Sequence, residues 1–72
     1  MNTIVDARGL SCPQPVIMTM DEIKKVGKGE ITIIVDTDTS RENVSRAAIS
    51  KGWQVKSVEP ESTGYRITIA KE

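Results

Sequence analysis

The stretch 30–36 restricts this chain more than any other. It holds Ile31, Ile33, Ile34 and Val35, with only Thr32 breaking the apolar run. β-Branched residues in this density fit a pleated sheet and read as a largely buried strand. The run is far too short to cross a bilayer, which takes about 20 apolar residues. A buried strand needs a core around it, and the means to build one are narrow here. In 72 residues there is no Phe, one Trp and one Tyr. The core must therefore come from Ile, Val, Ala and Met. A chain of this length makes a single domain, residues 1–72, and buries only about 60% of its unfolded surface.

Other segments supply the partners for that strand. Residues 3–6 are short and β-prone and read as a first strand, followed by a loop over 7–11. Over 15–26 the apolar positions Val16, Ile17, Met20, Ile23 and Val26 recur at helical spacing. Met18 and Met20 cannot both face the same side of that helix, so one is expected to point outward. Gly27 and Gly29 close it, with Lys24, Lys25 and Lys28 suiting the negative end of its dipole.

After the central strand, 37–39 is a polar turn and Ser40 is the expected N-cap of a second helix. Val44, Ala47 and Ala48 form its apolar stripe, and Gly52 is its C′ residue. Trp53, Val55 and Val58 mark a third strand that should end before Pro60. Ser62, Thr63 and Gly64 form a turn. Tyr65, Ile67 and Ile69 then alternate with Arg66, Thr68 and Lys71, the period-two pattern of a half-exposed strand. The order βαβαββ predicts an α+β fold. It is a two-layer sandwich with a four-stranded mixed sheet and both helices on one face. The opposite face is left for water or a partner.

Absences narrow the function. Ten Lys and Arg offset ten Asp and Glu, and there is no His. No His means no Ser-His-Asp or Cys-His catalysis and no usual imidazole metal site. Zero net charge argues against a broad nucleic-acid or membrane surface. A lone cysteine excludes an internal disulfide and a CxxC pair, and suits a reducing compartment. The N-terminal residues 1–6 lack the basic and apolar regions of a secretory signal. A cytoplasmic protein is expected, with no membrane partner.

Chemistry concentrates at Cys12-Pro13-Gln14-Pro15. A residue before proline is pushed out of the α region, so Cys12 suits an N-cap and Pro13 suits N1. Pro15 then falls within the first turn, leaving the amides of Cys12 and Gln14 as the local donors. A sulfur at that place lies near the positive end of a helix dipole, which favours the nucleophilic thiolate. The alternative is ordinary, because free cysteines commonly pack as small hydrophobes. Both readings of Cys12 stand on the residues alone.

Neighbouring residues also have two readings each. Arg8 is either a charge that stabilises a sulfur anion or a solvated loop arginine. Asp6 is expected to brace the loop by accepting nearby backbone amides. Asp36 and Asp38 suggest a metal on first sight. Two carboxylates fall short of a hard-cation cage, and turn formation with capping of the second helix is favoured.

The stretch Asp6-Ala7-Arg8-Gly9-Leu10-Ser11-Cys12-Pro13-Gln14-Pro15 resembles the signature of the TusA/SirA sulfur-carrier family. Its hallmark is Cys-Pro-x-Pro after Asp-x-x-Gly-Leu-x. The likeness extends along the chain through Gly29-Glu30, Val35-Asp36 and Tyr65-Arg66-Ile67. The segment 41–46 with Gly52-Trp53 looks closest to the TusA-like N-terminal domain of YedF-type proteins, where it precedes a DsrE-like domain. The chain departs from many members after the second strand, with Asp36-Thr37-Asp38 in place of Asp-Asp-Pro.

The resemblance implies the same βαβαββ sandwich and a transient persulfide on Cys12, with no other cofactor and no metal. Pro13, Gln14 and Pro15 would fix the cysteine's turn, while Asp6, Arg8 and Gly9 shape the adjacent loop. A cysteine desulfurase or another sulfur donor protein would load the cysteine. A downstream acceptor would take the sulfur on, toward tRNA thiolation, molybdenum cofactor or sulfur metabolism. Such a carrier would act as a sulfurtransferase by bearing the persulfide, and whether it counts as an enzyme stays open.

Two rivals are kept. One is a selenium-handling carrier using the same cysteine. The other is a binding module, because the small fold also resembles the RNA-binding C-terminal domain of a bacterial translation initiation factor. Neutral charge and the lack of stacking aromatics weigh against direct nucleic-acid contact.

Overall fold

A strand that is apolar on both faces belongs inside a sheet, and the 30–36 run occupies that position. The computed structural model describes residues 2–10, 14–61 and 64–72. Its elements are β1 (Asn2–Asp6), α1 (Gln14–Val26), β2 (Gly29–Val35), α2 (Asp38–Ser50), β3 (Gln54–Glu61) and β4 (Gly64–Lys71). The sheet order is β1-β2-β4-β3. β1 runs parallel to β2, whereas β4 is antiparallel to both β2 and β3. The α+β fold, the βαβαββ order and the mixed four-stranded sheet are those expected.

Alternation along the strands decides which face is covered. Ile31, Ile33 and Val35 of β2 and Ile67 and Ile69 of β4 are fully buried, facing Ile23, Val44 and Ala48 of the helices. Residues of opposite parity face away from the helices. Among them Ile4 is 64% exposed, and Ile34 is half-buried. The helices therefore share one face, and the opposite face of the sheet is uncovered by this chain.

Several local expectations change. In α1 the buried line is Pro15, Thr19 and Ile23, at i, i+4 and i+8. Ile17, expected in the core, is 45% exposed, whereas Met18 and Met20 are both half-buried against the core. Two positions two apart on a helix can both flank a buried line lying between them. Here that line includes Thr19, a polar residue that becomes buriable because its hydroxyl donates to the Pro15 carbonyl at 2.8 Å.

α2 starts earlier than expected. Its N-cap is Thr37, whose Oγ1 accepts the Ser40 amide at 3.0 Å, and Ser40 itself is buried within the first turn. At its C-terminus, Gly52 N–H donates to the Ile49 carbonyl and Trp53 N–H to the Ala48 carbonyl, both at 3.0 Å. This is a Schellman arrangement with Gly52 at C′, and it turns the buried Trp53 back onto Ala48.

β3 does not stop before Pro60 but runs to Glu61, with Pro60 paired to Tyr65. β3 is an edge strand, where a missing amide costs no ladder bond on its open side. A bulge between Val55 and Ser57 lets Val55 face Ile69 and Val58 face Ile67, although their spacing is odd. Lys71 shares the parity of Tyr65, so Ala70 takes its place in the outward series. The Ser62-Thr63 turn expectation lies outside the described residues, while the Glu61–Gly64 pair beside it closes the hairpin.

Candidate functional site

The parallel β1–β2 pair ends at Asp6 and Ile34. The same end of the sheet receives the last residue of β3 and the first of β4, because Glu61 pairs with Gly64 and Val35 with Tyr65. The loop leading to α1 leaves from this edge. Ala7 still donates its amide to the Ile34 carbonyl at 2.8 Å and is fully buried, so the loop begins anchored to β2.

Asp6 and Arg8 form a local unit. One Asp6 oxygen accepts the Arg8 amide at 3.1 Å and Nε at 2.9 Å, and the other accepts an Arg8 terminal nitrogen at 2.8 Å. Hydrogen bonds from Arg8 hold the Asp6 carboxyl below its ordinary 3.8, at about 2. Arg8 is pushed above its usual range, mainly by its hydrogen bonds to Asp6, with Glu61 and Asp36 adding their charges. Its cation is thus balanced within the loop by a fork–fork pair. Asp6, Val35, Glu61 and Gly64 bring the ends of all four strands to this end of the sheet, where the charges of Glu61 and Asp36 reach Arg8.

Gly9 follows with φ of +77°, a region open to glycine at little cost. Its amide donates to Asp36 Oδ2 at 2.7 Å. Asp36 is therefore tied to the loop before the cysteine, and the capping of α2 is done by its neighbour Thr37. Asp38 lies in the first turn of α2, accepts the Tyr65 hydroxyl, and sits near Arg41, whose guanidinium lies 5.0 Å from the Tyr65 ring centroid. That hydrogen bond, with the Asp38 charge beside it, pushes the Tyr65 pKa above its ordinary value. Each of the two carboxylates once considered for a metal is engaged with a neighbouring donor.

Gln14 opens α1 and is exposed, and Pro15 is fully buried within its first turn. Ser11, Cys12 and Pro13 lie outside the described residues, and so do the expected N-cap and N1 roles of Cys12 and Pro13. Among the described residues, Asp6, Arg8 and Gly9 are joined to one another or to Asp36, and Leu10 is exposed at the surface before the motif. The pairing of Gly9 with Asp36 was missed from sequence. Its signal was present only as a carboxylate at a strand end and a glycine in a loop 27 residues away. The described residues contain no group of three His, Cys, Asp or Glu side chains placed to hold a metal. No helix among them is long and apolar enough to cross a membrane.

The small βαβαββ sandwich is shared with a solved SirA-like protein. A SirA-like protein from Desulfitobacterium hafniense superposes with a TM-score of 0.86 at 33% identity, covering 97% of this chain and 96% of that one. Sulfur carrier protein TusA of Pseudomonas aeruginosa is 27% identical over 73 residues, spanning 100% of this chain and 92% of its own. A putative sulfur carrier protein of Methanocaldococcus jannaschii is 31% identical over 68 residues, spanning 93% and 91%. The family model described as Sulfurtransferase TusA matches residues 3–71. The chain belongs to the TusA family of sulfur carriers.

Proposed function

We propose that this chain carries sulfur as a persulfide on Cys12, taking it from a donor protein and passing it to an acceptor protein. The observation that supports this most is the family match over residues 3–71, which includes the Cys12-Pro13-Gln14-Pro15 motif. α1 begins at Gln14, two residues after Cys12 in sequence. Helix N-termini favour the thiolate, the form that attacks sulfur.

The step balances without an oxidant. The Cys12 thiolate attacks the outer sulfur of the donor persulfide and forms a new S–S bond. The donor's S–S bond breaks, and its electron pair leaves with the donor thiolate. Passing the sulfur to an acceptor thiol repeats the exchange in the opposite sense. With no His in the chain, proton handling falls to water and to the partners. A cysteine desulfurase suits the donor role, and the reducing cytoplasm suits a carrier whose thiol must remain free.

Incubation with a cysteine desulfurase and free cysteine, followed by intact-mass measurement, tests the reading. A gain of one sulfur that is abolished in Cys12→Ser is expected. No gain in the wild type, or an equal gain in Cys12→Ser, would contradict it.

A further inference from the structure

We infer that Asp36 is a positioning residue for sulfur acceptance, and that Gly64 fixes Asp36 from behind; the role in transfer rests on Cys12 being the sulfur-bearing residue. Three observations meet here. The first is the bond itself: Asp36 Oδ2 accepts the Gly9 amide at 2.7 Å, and Gly9 precedes Cys12 by three residues. A charged acceptor makes this bond stronger than a neutral pair would. It joins the loop to the end of β2, across 27 residues of sequence.

The second concerns how Asp36 is held. It follows β2 directly and precedes Thr37, the N-cap of α2, so its backbone is fixed by sheet pairing on one side and helix capping on the other. The third is the close approach of β4. A Cβ built on Gly64 would lie 2.0 Å from the Val35 carbonyl oxygen and 2.6 Å from Asp36 Cα. Those neighbours are backbone atoms, which cannot swing aside as a flexible side chain can. Only glycine lets the start of β4 press against the Val35–Asp36 peptide. Any side chain there would push Asp36 and, through it, the Gly9 amide.

The chemistry explains why such a brace matters. Exchange between two proteins requires the attacking sulfur to align with the donor's S–S bond, within an encounter geometry that neither side chain sets alone. A misplacement of about 1 Å can slow such a reaction by about 100-fold. A small alkylating reagent approaches from many directions and has no such requirement. A brace should therefore govern protein-to-protein transfer and leave small-molecule reactivity alone.

The test uses Asp36→Ala, Asp36→Asn and Gly64→Ala in the full chain, at a temperature where circular dichroism shows each folded. Asparagine keeps an oxygen acceptor for the Gly9 amide. Persulfide uptake from a loaded cysteine desulfurase should slow about tenfold in Asp36→Ala and recover in Asp36→Asn. Alkylation by iodoacetamide, at a pH where the thiol is fully ionised, should not change. Gly64→Ala should slow transfer likewise, and the double variant with Asp36→Ala should be no slower than the slower single, since both act on one contact. Hydrogen exchange at the Gly9 amide reads the brace without reference to sulfur. Its protection should fall in Asp36→Ala and survive in Asp36→Asn. Wild-type transfer by Asp36→Ala, a parallel loss of alkylation, or undiminished Gly9 protection would overturn the inference. Sulfur uptake by Cys12→Ser would instead contradict the assignment of the carrier residue, leaving the Gly9 exchange data to decide the brace.

Discussion

At the scale of single residues, charge is confined to short range. Arg8 is paired with Asp6 through three hydrogen bonds, so its positive charge is balanced within the same loop. The Asp6 carboxyl is held at about 2 against an ordinary 3.8. A depressed carboxylate contributes in full above its unfolded value and loses that contribution as pH falls through the folded one. The Asp6–Arg8 unit is therefore intact above about pH 4 and opens as pH drops through about 2. A carbon-detected titration of the Asp6 carboxyl should show its midpoint near the lower value. Arg8→Ala should raise the midpoint part of the way toward 3.8, because the bond from the residue 8 amide stays in place. An unchanged midpoint in Arg8→Ala would mean that another group holds the proton off. The Asp6 acceptor role was legible from an Asp at the start of a glycine loop. The partner of Gly9 was not, because a 27-residue contact leaves no local pattern.

At the scale of elements, the helices and strands were legible because their hydrophobic periods differ. Residues 31–35 form a short β-branched apolar run, residues 65–69 alternate, and Val44 to Ala48 follows a helical stripe. The ends were less legible. Thr37 and Ser40 are both good caps, and local sequence does not choose between them. The choice is tertiary: β2 ends at Val35, and Ser40 is drawn into the buried face. Removing the cap with Thr37→Ala should destabilise the protein by about 1 kcal/mol, read by urea unfolding. No loss on Thr37→Ala would show that the Ser40 amide finds another acceptor. Pro60 misleads for a similar reason, since its meaning depends on whether a strand lies at an edge. Sheet order, which puts β3 outermost, is invisible until β4 is seen to insert between β2 and β3.

At the scale of the whole molecule, the two helices cover one face of the sheet and the chain ends of four strands build one corner. The consequence for stability is asymmetric. Ile33, fully buried beneath the helices, should cost about 2–5 kcal/mol when replaced by alanine. Ile4, 64% exposed on the uncovered face, should change stability by less than about 0.5 kcal/mol under the same replacement. Similar losses at both positions would contradict a one-sided sheet. The corner where β1, β2, β3 and β4 converge also answers the question raised by composition. A chain without His has no imidazole to offer as general acid or base. Under the proposed function it needs none, provided the thiol is presented well and partners supply the rest.

The most direct test is the mass of the peptide containing Cys12 in protein isolated from its own host, measured without reductant and after blocking free thiols. The account predicts a fraction bearing one additional sulfur on Cys12, removed by treatment with a reductant. Selenium at that position, or a Cys12 peptide that never carries added sulfur while the host's sulfur transfer is active, would contradict it.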